Sequence, residues 1–268
     1  MYESHFGLSG RPFGEKQGPD AWVSLPSRDA VLRRLRYGLE HAQGPVLLFG
    51  PPGSGKTAVA RRLAVALGWP AAHVVFPALP AADWLSTLAD ELTGFAHGPA
   101  APAASLRRLR SHLEAAASRG DRPLLVVDEA QLIEDPAAFE SLRLLLNFAT
   151  LGPPDLALVL VGTADVLDRL PPGLADRLTA RALLGPLCES EARSYLAGRL
   201  RAAGSEVSLF DVEATRALWI AADGLPRRLN LMADMALLIA YAEGLAAPDA
   251  ACVEAAALEL EPMMPLAI

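Results

Sequence analysis

"GPPGSGKT", Gly50 to Thr57, decides how the rest of this sequence is read. It matches G-x-x-x-x-G-K-[ST], and it stands directly after an apolar run, "PVLLFG" (45–50), and directly before a helical stretch. Glycines at Gly50, Gly53 and Gly55 let the backbone wrap phosphate oxygens with successive N–H groups. The helix that follows points its positive dipole end at the same anions. The loop formed by Gly50, Pro51, Pro52, Gly53, Ser54, Gly55, Lys56 and Thr57, with Ala58 behind it, is therefore a candidate site for ATP. Lys56 is expected to bridge the β- and γ-phosphates, and Thr57 to offer its hydroxyl to Mg²⁺.

A second constellation supplies chemistry. "LLVVDEAQ" (124–131) ends four apolar strand residues with two adjacent carboxylates. Asp128, at the strand tip, is placed to hold the metal, and Glu129 to orient or deprotonate an attacking water. Transfer of a phosphoryl group to a metabolite needs no water-activating acid beside the metal aspartate, so the pair argues for hydrolysis. A further strand, within "LALVLVGTADV" (156–166), ends at Gly162 and Thr163. Ligands of doubly wound folds lie beyond the carboxyl ends of the strands, which makes Thr163 a candidate sensor of the γ-phosphate or the water. Asn147, in "LLLNFAT" on the preceding helix, is the rival.

Around these motifs the chain alternates strand and helix. Apolar runs at 45–50, 72–77, 123–128 and 156–162, with a weaker fifth at 179–185, predict a doubly wound α/β fold on a parallel five-stranded sheet. Ser27 and Ser105 are candidate helix N-caps, and Gly68, Gly94 and Gly120 sit where helices end. "GFAHGPAAPAAS" (94–105), rich in Pro and small residues, reads as a mobile surface connection. From Glu189 only helical patterns remain, at 189–203, 211–222, 226–243 and 249–259. The expected organisation is a nucleotide-binding core over 1–186, including an N-terminal segment 1–26 on the adenine side, and a small all-α lid over 187–268. The last residues, "EPMMPLAI" (261–268), read as a frayed tail or a peptide that docks on a partner.

Bulk properties narrow the partners. A 268-residue chain that is 52% hydrophobic buries a sizeable core, and a net charge of -7 repels phosphodiester backbones and anionic membranes. Nucleic-acid contact would need a local patch. Cys188 and Cys252 stand far apart, and the five histidines are scattered singly, so neither a zinc site nor a disulfide framework is expected. The opening residues carry no secretory signal, and the longest apolar run (229–247) is interrupted by Asp234 and Glu243. No integral membrane segment is expected, and the pattern fits a cytoplasmic protein.

With phosphate loop, "DEAQ", polar strand tip and a helical end beginning "GLPRR" (224–228), the sequence resembles AAA+ P-loop ATPases over nearly its whole length. More narrowly it is similar to the general secretion pathway protein A (ExeA-like) family. The shared blocks are "YESHFGLSGRPF" (2–13), "LRYGLEHAQGPVLLFGPPGSGKT" (35–57), "LRLLLNFAT" (142–150) with "LVLVGTADVLDRL" (158–170), and "GLPRRLN" (224–230) with "DMALLIAYAEG" (234–244). Where that family is expected to carry Gly-Gln-Pro-Glu after the fourth strand, this chain has "GTAD" (162–165). No stretch resembles the membrane span and peptidoglycan-binding region of longer members, so direct cell-wall binding is not expected.

The resemblance implies ATP hydrolysis with Mg²⁺ and roles for several arginines. Arg227 would be the sensor 2 residue facing the γ-phosphate of its own subunit, with Arg228 turned elsewhere. Arg177, with Arg181 second, would be the finger projected into a neighbour's site, so the chain would act as a ring or filament of copies of itself. Tyr2, Phe6, Pro12 and Phe13 would pack beside adenine or serve as a hydrophobic anchor. The implied task is assembly or regulation of an envelope machine (type II secretion, pilus or polysaccharide export), peripheral to the inner membrane through a partner. The alternative is a DNA-binding matchmaker of the transposition or replication-initiation type. It would use arginines at Arg33, Arg34 and Arg36, at Arg61 and Arg62, and at Arg107, Arg108 and Arg110.

Overall fold

A computed structural model describes residues 1–14, 22–41, 43–75, 77–96, 98, 100–150, 152 and 154–260. The chain divides into two compact units: Arg28–Leu184, and Met1–Ser27 together with Gly185–Ile268. The N-terminal segment, expected with the nucleotide-binding core, is thus grouped by its contacts with the C-terminal helices. The tail at 261–268 lies outside the described residues.

In the first unit, β1 (Val46–Phe49), β2 (Ala71–Val74), β3 (Leu124–Val127), β4 (Ala157–Gly162) and β5 (Ala180–Leu183) form a parallel sheet in the order β2-β3-β4-β1-β5. Every residue of β3 and β4 is buried, as expected of central strands covered on both faces. The edge strand β5 instead alternates buried and exposed positions, which is why its apolar signal is the weakest. Helix α2 (Pro26–Glu40) leads into β1, and α3 (Lys56–Leu67), α4 (Ala81–Thr93), α5 (Pro102–Ser118), α6 (Pro136–Leu145) and the short α7 (Val166–Arg169) and α8 (Pro172–Ala175) fill the crossovers. Trp84, Leu113, Phe139 and Leu142 make a contiguous core with one face of the sheet, Leu125 and Val127 of β3 and Leu158 and Leu160 of β4.

Two helix starts differ from expectation. The α5 helix begins at Pro102 with Ala101 as N-cap, and Ser105 is buried inside it. Proline at the first helical position has its φ preset and lacks only an N–H that would be unpaired anyway, so it displaces serine as the start. The connection at 94–105 is correspondingly shorter. Likewise Pro26 opens α2, and Ser27 gives its N–H and its hydroxyl to Glu191 (2.8 and 3.0 Å) instead of capping. Gly68 and Gly94 end α3 and α4 in the left-handed conformation, as expected (φ 67° and 71°).

The second unit packs α9 (Glu189–Ala202), α10 (Val212–Ala221), α11 (Pro226–Ala242), α12 (Ala250–Leu260) and the short α1 (Tyr2–His5) around one core. Tyr2, Phe6 and Phe13 are buried there with Leu196, Leu229 and Leu237, which gives the N-terminal aromatics an anchoring role. Arg199 fixes the segment: its buried guanidinium donates to Pro12 O (2.9 Å), Gly14 O (3.2 Å) and Tyr195 Oη (2.8 Å). Arg199→Ala would remove these three donations, at a cost of about 2–3 kcal/mol. A lowered melting temperature and new protease cleavage near residues 9–14 are expected; an unchanged melting curve would refute the tie. Among the described residues no helix is long and apolar enough to cross a membrane.

Candidate nucleotide site

The phosphate loop leaves β1 and enters α3 with its glycines where backbone geometry demands them. Gly53 and Gly55 take φ of 79° and 96°. A Cβ on Gly50 would stand 2.3 Å from Leu184 O, a backbone atom that cannot yield, while Gly50 N–H is bonded to Gly162 O (3.2 Å). The loop's root is therefore clamped between the ends of β4 and β5. The N-cap of α3, Gly55, supplies no side-chain bond, so the first-turn N–H groups stay available to an anion. Lys56 is buried and donates to Gly50 O (3.1 Å) and Pro51 O (3.2 Å). Arg28 Nη2 reaches beneath the loop to Ser54 O (3.2 Å), and Ser54 Oγ is buried without a hydrogen-bond partner.

At the end of β3 the expected carboxylates meet the loop. Thr57 Oγ1 donates to Asp128 Oδ2 (2.7 Å), joining the two residues expected to hold a metal. Asp128 is 3% exposed. Burial pushes its carboxyl up, but the interaction with the His73 ring and the hydrogen bonds from Thr57 and from Glu129 N–H (3.0 Å to Oδ1) outweigh that and hold it below the usual range. His73 Nε2, a buried atom, lies 3.4 Å from Asp128 Oδ2. Sequence reasoning passed over His73. The only signal was a histidine inside an apolar strand, and it gains meaning once register sets His73 opposite Val126, two residues before Asp128.

Glu129 itself is held in a left-handed backbone conformation (φ 50°, ψ 39°) at the head of a 3-10 turn, Ala130–Leu132. Its carboxylate accepts from Gln131 Nε2 at 2.6 Å, and Gln131 Oε1 accepts from Thr163 N–H at 3.0 Å. Gln131 had been assigned no role. The Thr163 hydroxyl is bonded to Asp165 Oδ2 (2.8 Å), so it is the backbone of Thr163 that is linked to the carboxylates. Its rival Asn147 is exposed in the turn after α6. Arg177 is half-buried with Nη1 on Arg143 O (3.2 Å), and Arg181 is exposed on β5 with Nη2 on Ala175 O (3.1 Å). In the helical unit Arg227 is exposed in the first turn of α11, and its neighbour Arg228 pairs with Asp223.

These residues fit the groups expected of them. The glycine cradle, the first-turn donors and Lys56 suit phosphates. The hydroxyl and carboxylate oxygens of Thr57 and Asp128 are hard ligands of the kind Mg²⁺ takes, with phosphates and water completing its shell.

A family described as "AAA domain" matches residues 39–170. Over 250 residues the chain is 35% identical to general secretion pathway protein A of Aeromonas hydrophila, covering 91% of this chain and 46% of that protein. The chain therefore spans about half the length of that curated relative (46%). Among solved structures, the Aeropyrum pernix ORC2 protein in its ADPNP-ADP complexes superposes with a TM-score of 0.70 at 19% identity, over 93% of this chain and 71% of that one. Cdc6p of Pyrobaculum aerophilum gives 0.72 at 21% identity, over 88% and 67%. At these identities the likeness establishes the fold alone.

Proposed function

As an AAA+ P-loop protein that resembles general secretion pathway protein A, with a parallel five-stranded sheet followed by a small helical part, the chain is, we propose, a Mg²⁺-dependent ATPase working as an oligomeric switch. The observation that carries this is the contact of Thr57 with Asp128 beneath the phosphate loop, with Glu129 next in line at the same strand end. Mg²⁺ held by Thr57 and Asp128 would neutralise charge developing on the phosphates. Lys56 and the loop N–H groups bind and orient the triphosphate. Glu129 accepts a proton from water as it attacks the terminal phosphorus, and ADP leaves. Arg227 serves as the γ-phosphate sensor on the strength of its Gly-x-x-Arg motif (224–227).

The 35% identity to general secretion pathway protein A supports a task in a secretion-type envelope machine, performed in the cytoplasm and brought to the membrane by a protein partner. The DNA matchmaker is the weaker reading: the net charge of -7 opposes a phosphodiester backbone, and three of the eight arginines named for it face carboxylates, Arg36 to Glu40 (2.9 Å), Arg108 to Asp90 (2.9 Å) and Arg110 to Glu114 (2.7 Å). Specific ATPase activity should rise with protein concentration, because a finger must come from another copy. Activity strictly independent of concentration down to nanomolar protein would remove the oligomeric switch. ATP-dependent retention of DNA on a filter at moderate salt would bring the matchmaker forward.

A further inference from the structure

We propose that Gln131 is a positioning residue of this site: its side-chain amide ties the Glu129 carboxylate to the backbone at the end of β4 and so sets where the water-activating oxygen points. The inference rests on the ATPase reading above.

Only one orientation of the amide suits its two neighbours. Thr163 N–H must donate, so the amide oxygen faces it (3.0 Å); the Glu129 carboxylate must accept, so the amide nitrogen faces that (2.6 Å). The chain also makes room for the link. A Cβ on Gly162 would fall 2.6 Å from Gln131 Oε1, so a residue with a side chain at that point of β4 would push the amide aside.

The need for such a tie follows from the backbone of Glu129. Its left-handed conformation is uncommon for a residue with a side chain and persists only when its surroundings fix it. Glu129 N–H is fixed by Asp128 Oδ1 and its carboxylate by Gln131, so both ends of the residue are held. The tie engages Oε2 and leaves Oε1 to take the proton of a water. A base oriented by a third group is the usual requirement for an activated nucleophile. Here the orienting group is itself anchored on a different strand, so a shift of the β4 end relative to β3 changes the aim of the base. The signal passes through the Thr163 N–H and not its hydroxyl, which is engaged by Asp165.

Gln131→Met keeps the length and removes both bonds; Gly162→Ala displaces the amide from the other side. The atom that must give in the second variant is the free end of a flexible side chain, so that variant keeps the fold even if the first does not. Both should lower kcat about tenfold or more, with KM for ATP and the affinity for a fluorescent ATP analogue within about twofold of the parent. In a Glu129→Gln background Gln131→Met should add no further loss, since there is no base left to aim. Parental kcat in Gln131→Met, or the same fold-loss in both backgrounds, overturns the inference while leaving the ATPase reading intact. A parent protein that hydrolyses no ATP at all overturns both.

Discussion

Glu129→Gln is expected to lower the rate of ATP hydrolysis about 10²- to 10⁴-fold, the range a positioned general base contributes, with nucleotide affinity changed little. The substitution keeps the side chain's size and one acceptor oxygen, so the bond from Gln131 survives, as does that of Glu129 N–H to Asp128. What disappears is the basicity. Since Lys56, Thr57 and Asp128 remain in place, ATP should still be held, and the protein should accumulate in its ATP-bound assembly. Single-turnover hydrolysis, titration of a fluorescent nucleotide and size-exclusion chromatography with ATP check the three consequences. A rate within about threefold of the parent would remove Glu129 from the chemistry, whatever its neighbours do.

Why this residue was legible in the sequence while Gln131 and His73 were not is a matter of which interactions are local. The phosphate loop and "DE" at the strand end are chemistry written in consecutive residues: glycines that take positive φ, a lysine and hydroxyl that follow them, carboxylates after an apolar run. Their context, strand before and helix after, is equally local. Gln131 becomes part of the site only because β3 pairs with β4 in a register that brings the Thr163 N–H to its amide, and His73 only because β2 pairs with β3. Nothing in either segment's own periodicity encodes that neighbour. The same holds for Tyr2, Phe6 and Phe13: apolar spacing says they are buried, not against what, and their partners Leu196, Leu229 and Leu237 lie some two hundred residues away (232 between Tyr2 and Asp234, which are hydrogen-bonded). The misplaced start of α5 is a smaller instance, in which two local signals competed and Pro102 prevailed over Ser105.

Arg177→Ala is expected to reduce hydrolysis by about a thousandfold or more, roughly 4 kcal/mol of transition-state stabilisation, and the loss should be reversible by a second defective protein. In the isolated chain the Arg177 guanidinium donates to a backbone carbonyl, Arg143 O, and its charge also acts on the Glu140 carboxylate; both contacts are ones it can exchange for a phosphate oxygen. Its own subunit's Glu129 and phosphate loop are untouched by the substitution, so an Arg177→Ala protomer still presents a complete base to the water. A Glu129→Gln protomer has the complementary defect: no base, but an intact arginine to lend. Mixing the two should therefore restore activity at those interfaces where an Arg177→Ala site faces a Glu129→Gln neighbour, and neither protein alone should show it. Arg181→Ala serves as the comparison, because Arg181 also rests on one carbonyl, Ala175 O, yet leaves from the exposed edge strand β5. If Arg181→Ala produces the large, mixable loss and Arg177→Ala does not, the finger is Arg181. If both losses persist in the mixtures, the arginines act within their own subunit, and the dependence on a second copy disappears.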